Sequence, residues 1–463
     1  MILLLIVPIL LTCETVTASD ICISSIRISG NRKTKDYTIL RELPFRVGDV
    51  MAEDRLINQL DVATNHLTNT SLFNFVDIDY IPDSVDAPGC ESCTVTIRVE
   101  ERWYYWPQVS IKLEDRNLSN WLHEKDFKRT TIGWGMRVYN VLGLRHKVTF
   151  SDYFGYEKGL RLGYANIALD HKRTQMLGFS LSALFNRTIN IASENDKVIY
   201  YKDPNRFIDK TVQGSVSYTY RPMIRTTHSF GIGYQRQYLG DSVLKINKDY
   251  WGADDPVNST LNFNYNFDYE HRDYIVYPTK GYFVGAELVG ATADELCFFY
   301  GELNLKLQYF EEFAPRWFWS SRLNTGLSFK NKRAYIYDRH VGYEDKNITG
   351  YDYYVVDGQH HVIMNNDIRF LVMPKKILVF GSSKNPSKFK KIHFTLYAKL
   401  TGDLGYVHNS YPNPANTLAN TLLYGSGLGL DLVSYYDIVI NCSYAINKMG
   451  KGGFYFGIKA PIF

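Results

Sequence analysis

From residue 107 onward, apolar and other residues alternate with period two in one segment after another. PQVSIKLED, TIGWGMRVYNVL, HKVTFSDYF and GLRLGYANIAL come first, and FYFGIKAPIF comes last. Period two sends successive side chains to opposite faces, so each segment predicts a strand with one apolar face. About sixteen such segments fit between residues 103 and 463, each near the ~9–11 residues a tilted strand needs to cross hydrocarbon. The breaks between them are compact at 141–145 and 221–225 and long at 186–210 and 330–360. Short turns at one end and long loops at the other are the pattern of a membrane β-barrel.

The last segment says what solvent the apolar face meets. Phe454, Phe456, Ile458, Ala460 and Ile462 share one face, and in water such a terminal edge invites aggregation. In hydrocarbon a β-sheet has no water to satisfy its edges, so it must close on itself. The last strand is therefore expected to pair with the first and turn its apolar face to lipid. Phe463 is out of phase with this row, and a bulge at Pro461 would restore the phase.

Residues 21–102 read differently, as a small α/β unit in the order strand, helix, helix, strand, strand. ICISSIRISG alternates and closes on Gly30-Asn31, and DYTILREL offers one helical turn or two. MAEDRLINQLDVATNHLTNT then places Leu56, Leu60, Ala63 and Leu67 on one helix face. LFNFVDIDYI and TVTIRVEE alternate again.

Composition agrees with a membrane barrel. The 36 tyrosines outnumber the 33 glycines, and tyrosine suits membrane–water interfaces because it pairs an apolar body with a polar tip. A net charge of +4 makes no case for nucleic acid, and none is expected as a partner. The apolar run at residues 2–11 is too short for a membrane helix. Residues 1–18 are expected to be a signal peptide, cut near Ala18.

Little covalent chemistry is legible. After cleavage the cysteines are Cys22, Cys90, Cys93, Cys297 and Cys442, an odd number. Cys90 and Cys93 lack the further ligands of a zinc site, so a Cys90–Cys93 loop disulfide, or Cys22 paired with one of them, is expected. No GxSxG elbow, P-loop or dinucleotide fingerprint occurs. His360-His361 reads as the start of a strand rather than a metal pair. No enzyme, cofactor or metal is expected.

Several motifs resemble one family. Ile26-x-Ile28-x-Gly30-Asn31, Leu40-Arg41-Glu42-Leu43-x-Phe45-x-x-Gly48-Asp49, Asn69-Thr70-x-Leu72-Phe73-x-x-Val76 and Val95-x-Ile97-x-Val99-x-Glu101-Arg102 are similar, in order, to a POTRA domain. That is the polypeptide-binding module of the BamA/TamA superfamily of outer-membrane assembly factors. In the barrel, Asp115-Arg116-Asn117 follows the first strand. Arg272-Asp273 with Pro278-Thr279-Lys280-Gly281 resembles the family's RD…PTKG hairpin. Ile348-Thr349-Gly350-Tyr351 stands where the family has the tip of a long loop folded back into the lumen. Gly402-Asp403-Leu404-Gly405 resembles the wall motif that receives this tip, and the Asp357-Gly358-Gln359 extension is most like Bacteroidetes members. One departure stands out: Thr349 replaces the family's arginine, and a threonine supplies only a neutral hydrogen bond. Asp403 would then find another partner, either a base such as Arg339, Lys346 or Arg369, or lumen water.

The resemblance implies a 16-stranded antiparallel outer-membrane barrel at 103–463, behind one periplasmic POTRA domain at 21–102. It implies a factor that inserts outer-membrane proteins by strand addition. Unfolded clients would lie along the POTRA edge at Phe73, Phe75, Val76 and Ile78. The seam that ends on Phe454, Phe456, Ile458 and Phe463 would then open. The outer-membrane bilayer, the clients and assembly lipoproteins are the implied partners. The alternatives are a two-partner secretion pore or a non-inserting surface paralogue.

Overall fold

Alternation and helical periodicity sort the chain into a small α/β domain and a large barrel in the computed structural model. The structure describes residues 20–84, 90–113, 130–252, 255–293, 298–343, 346–379 and 391–459. The expected signal peptide, Asp115-Arg116-Asn117, Cys297, Pro461 and Phe463 lie outside the described residues.

The small domain runs β1 (Asp20–Ser29), α1 (Asp36–Leu40), β2 (Val50–Ala52), α2 (Glu53–Asn69), β3 (Phe73–Pro82) and β4 (Glu91–Glu101). Leu56, Leu60, Ala63 and Leu67 of α2 are all buried against Ile23, Phe73, Val95 and Ile97 of the sheet, as their spacing predicts. The strand order is β2-β1-β4-β3, which leaves β3 as the long edge. The three-residue β2 is too short to show alternation and was not expected; it pairs antiparallel with the start of β1. Of the disulfide alternatives, Cys22 bonds Cys90, with their Cα atoms 5.9 Å apart, and Cys93 is buried and free.

The barrel strands are β5 (Tyr105–Leu113), β6 (Thr130–Val141), β7 (His146–Gly155), β8 (Lys158–Ala168), β9 (Gln175–Asn186), β12 (Asp209–Tyr220), β13 (Thr226–Leu239) and β14 (Val257–Glu270). They continue as β15 (Gly281–Ala293), β16 (Phe298–Ala314), β17 (Trp317–Lys330), β20 (His360–Val379), β21 (Lys391–His408), β22 (Leu423–Ser434), β23 (Val439–Asn447) and β24 (Gly452–Lys459). All 16 form one sheet in which each pairs with the next barrel strand in the chain. The long loops carry structure of their own: a hairpin of β10 (Thr188–Glu194) and β11 (Lys197–Lys202), a helix α3 (Asp241–Ile246), and a pair formed by β18 (Arg339–Val341) and β19 (Val356–Asp357). Among the described residues no ladder joins β24 to β5, the two strands expected to close the seam.

Burial shows why the alternation looks as it does. Along β22, Tyr424, Leu428 and Leu430 are exposed while Asp431 is buried. Phe454 and Phe456 of β24 are 83% and 66% exposed. The inward set across the wall is polar, with Glu302, Asn304, Asp367, Arg369 and Asp403 all buried. An apolar exterior around a polar lumen is stable only when the exterior faces hydrocarbon. No helix among the described residues is long and apolar enough to cross a membrane.

The small domain sits against the short-turn mouth. Lys35 donates its backbone N–H to the carbonyl of Gly143 in the β6–β7 turn (3.1 Å), and the hydroxyl of Thr38 donates to the same atom (3.1 Å). Gly143 has φ +76°, and a Cβ there would lie 2.0 Å from the carbonyl oxygen of Lys33, so the contact requires glycine.

Candidate functional site

Two places bring the sequence motifs together, one inside the lumen and one at the mouth. In the lumen, the loop between β17 and β20 folds back onto the wall. Ile348 and Tyr351 are buried with Val341, Val356, Ile363, Val407 and Leu423. Ile348 packs so tightly on Gly405 that a Cβ at Gly405 would lie 2.2 Å from its Cδ1. Gly425 makes the same kind of room, since a Cβ there would meet the carbonyl oxygen of Thr349 at 1.9 Å.

At the tip, Thr349 donates its backbone N–H (2.9 Å) and its hydroxyl (2.6 Å) to Oδ2 of Asp403. Asn365 Nδ2 donates to the same oxygen (2.8 Å), while the N–H of Asn366 reaches Oδ1 (3.3 Å). The carbonyl of Gly350 accepts from Asn447 Nδ2 (2.9 Å). Asp403 thus takes neutral donors, not the base offered as one of its two possible partners. Arg339 donates to the carbonyl of Ile336, Lys346 pairs with Glu302, and Arg369 donates to the carbonyl of Pro278. Gly402 faces outward beside Leu404 and takes no part in the tip contact.

The Asp357-Gly358-Gln359 segment closes the loop side. Asp357 accepts from the hydroxyls of Ser193 and Tyr343, and its own carbonyl accepts from Asn409 Nδ2 (2.9 Å). Burial pushes its carboxyl up to about 6, more than these two hydroxyls pull it down. Gly358 donates to the carbonyl of Asp338 (2.7 Å) and Gln359 to that of His408 (2.8 Å). This layer ties three separate loops together.

At the mouth, the hairpin motif meets α2. Arg272 forms two hydrogen bonds to Glu270 (2.8 and 2.5 Å) and one to Gln308 (2.9 Å), and its guanidinium lies 4.8 Å from the ring centroid of Phe283. Asp273 accepts from the N–H of Thr279 (2.9 Å), and Gly281 begins β15. Asn69 at the end of α2 donates to the carbonyl of Asp273 and accepts from the N–H of Ile275, both at 2.9 Å.

Glu42 makes one buried charged contact between domain and mouth. Its two carboxylate oxygens take Nη1 (2.6 Å) and Nη2 (2.8 Å) of Arg221, and Arg145 adds a third contact at 3.3 Å. Burial pushes the carboxyl up, but Arg221 and Arg145 outweigh it and hold it down near 2. The sequence placed Glu42 inside a motif without giving it this role.

A second contact, absent from the sequence reading, joins the edge strand to the seam corner. Arg102 donates to both carboxylate oxygens of Asp437 (2.5 and 2.9 Å) and to the carbonyl of Phe73 (2.8 Å). Tyr436 next to it lies edge-on to Trp106 at the foot of β5, with centroids 4.9 Å apart. Asn74 reaches Tyr435 (2.6 Å), and Phe75 lies near Lys391 (5.1 Å). Val76 and Ile78 pack partly into the domain core. The sequence separation of 335 between Arg102 and Asp437 explains why no local pattern announced the pair.

Residues 21–102 match the POTRA family, described as a surface antigen variable number repeat. The whole chain resembles the crystal structure of BamA from Haemophilus ducreyi lacking POTRA domains 1–3, with TM-score 0.53 and 14% identity, covering 95% of this chain and 84% of that one. CdiB from Escherichia coli is similar at TM-score 0.54 and 12% identity, covering 94% and 76%. No curated protein sequence matches. At these identities the likeness is one of fold: a 16-stranded outer-membrane barrel behind one POTRA domain.

Proposed function

From a POTRA domain joined to a barrel of the BamA and CdiB fold, we propose that this chain inserts or assembles other β-barrel proteins in an outer membrane. It acts by strand addition, without covalent catalysis. The observation that carries the reading is the position of the POTRA edge. Arg102 ties β3 to the turn at Asp437, and Tyr436 of that turn touches Trp106 of β5. The long POTRA edge and the first barrel strand therefore share one corner of the mouth. A client segment held along Phe73–Ile78 by backbone hydrogen bonds is already beside the strands that would open.

In this reading the POTRA domain is periplasmic, the structured loops face outward, and the Thr349–Asp403 tip braces the lumen. Unfolded outer-membrane proteins are the clients, and assembly lipoproteins are further partners. Depletion followed by outer-membrane proteomics tests it, together with a photo-crosslinker at the exposed Asp79 of β3. Several barrels should fall in abundance, and the crosslinker should capture their precursors. Normal abundance without capture would sink the proposal. Ion conductance in planar bilayers with export of one partner polypeptide would instead mark a two-partner secretion pore. Normal abundance of other barrels together with no conductance would leave a non-inserting paralogue.

A further inference from the structure

We propose that Glu302, His340 and His361 form a binding site for a first-row divalent metal ion, zinc above all, that ties the inward loop to the barrel wall. Register brings the wall residues together. Asn304 of β16 pairs with Gly326 of β17, and Gly326 pairs with His361 of β20, so the three form a row. Glu302 lies two residues along the same face as Asn304. His340 arrives from β18 in the loop, with its ring centroid 4.6 Å from that of His361. The missing side chain at Gly326 makes the space, because a Cβ there would lie 2.2 Å from His361 Cε1 and 2.7 Å from Asn304 Oδ1.

The donor set is that of a transition-metal site. One ligating atom from each of Glu302, His340 and His361 lies within 4.8 Å of the other two. Both histidines are 1% exposed. His361 Nδ1 and Asn304 Oδ1 are buried without a hydrogen-bond partner among the described residues. Buried polar atoms left over in this way ask for an explanation, and an ion supplies one. Two imidazoles and a carboxylate leave one open position on a tetrahedral zinc. Metal–ligand lengths of ~2.0–2.2 Å set such ligands roughly 3.4 Å apart, so atoms within 4.8 Å need close by about 1.4 Å at most. The hydroxyl of Tyr300 donates to Glu302 Oε2, which orients the carboxylate from outside the ligand set.

Lys346 shows that the site already attracts positive charge. Its ammonium lies 3.3 Å from Glu302 Oε1 and 3.4 Å from His340 Nδ1. An entering ion must displace it, and the side chain, 20% exposed, is not sealed in. Lysine and metal compete for the same carboxylate and imidazole.

The test uses the full chain without a histidine tag, folded in detergent, with zinc chloride and equilibrium dialysis. One zinc per chain should bind at micromolar free zinc, and a chelator should release it. External protease should cut the 331–359 loop more slowly with zinc present. Glu302→Gln and His340→Ala should each weaken binding at least tenfold. Lys346→Met should tighten it at least tenfold, a gain that misfolding does not produce. Absence of stoichiometric binding by the folded wild-type chain would overturn the proposal, even if Lys346→Met binds. So would binding that Glu302→Gln and His340→Ala leave unchanged.

Discussion

Thr349 gives both its backbone N–H and its hydroxyl to a single carboxylate oxygen of Asp403, at 2.9 and 2.6 Å. An arginine would bring its own charge to this contact; threonine does not. The loop tip is held instead by neutral donors converging on an ionisable group, with Asn365 as the third at 2.8 Å. A carboxylate accepts several such bonds at once, and each is stronger than a bond between neutral partners.

Thr349→Val keeps the shape of the side chain and removes the hydroxyl donor. Loss of a hydrogen bond to a charged group should destabilise the closed loop by about 1.5–3 kcal/mol. External protease should then cut residues 331–359 faster than in the wild type. In an Asp403→Asn background the same substitution should cost clearly less, because contacting residues are not additive. Equal losses in both backgrounds would show that the contact does not hold the loop.

Asp357 should make the loop layer sensitive to pH. Its carboxyl is raised from 3.8 to about 6 in the folded state, burial being the main cause. A raised carboxyl favours the protonated folded form, so its contribution is full below about pH 4 and is lost as pH rises through about 6. Protease protection of the loop should therefore be greater at pH 5 than at pH 8. Asp357→Asn, neutral at every pH, should flatten that difference. A wild-type profile as flat as the variant's would exclude Asp357 as its source.

Much of this was legible because two solvents write two patterns. Lipid outside and polar lumen inside impose period two on every wall strand, as Tyr424, Leu428 and Leu430 against Asp431 show. The face of α2 was legible for the helical counterpart of that reason. The loop tip could be placed because Gly350 and Asp403 sit in motifs. Long-range polar pairs leave no such trace: Arg102–Asp437, Glu42–Arg221 and Asp357–Ser193 each join segments far apart in the chain. The small hairpin β10–β11 was hidden inside what read as one long loop.

The last wall strand should be indispensable. Removing residues 452–463 exposes the backbone of β23 along Val439–Ile446, which β24 pairs in the structure. Unpaired N–H and C=O groups in hydrocarbon cost several kcal/mol each. The truncated chain should show no heat-modifiable band on gels. A folded band of normal mobility would mean that the wall closes without β24.

Glu42 should act as an acid-sensitive latch between the POTRA domain and the barrel mouth. Its carboxylate is buried and engaged by Arg221 at both oxygens, with Arg145 at 3.3 Å. Removing one partner of such a pair leaves uncompensated buried charge, which typically costs about 3–5 kcal/mol. Glu42→Gln strands Arg221 in this way, so amides of α1 and of Lys35 should exchange with solvent faster while the barrel band stays folded. The pH dependence has a definite sign. Glu42 falls from 4.5 when free to about 2 when docked, so its contribution is present above about 4.5 and is lost as pH falls toward 2. Wild-type docking should therefore weaken on acidification across that window, and Glu42→Gln should show no such loss. Arg221→Leu should undock the domain at neutral pH as well, since it leaves Glu42 with Arg145 as its nearest cation. Exchange at α1 that is unchanged in both variants would show that the domain is held by its other contacts, at Gly143, Asp273 and Asp437, instead.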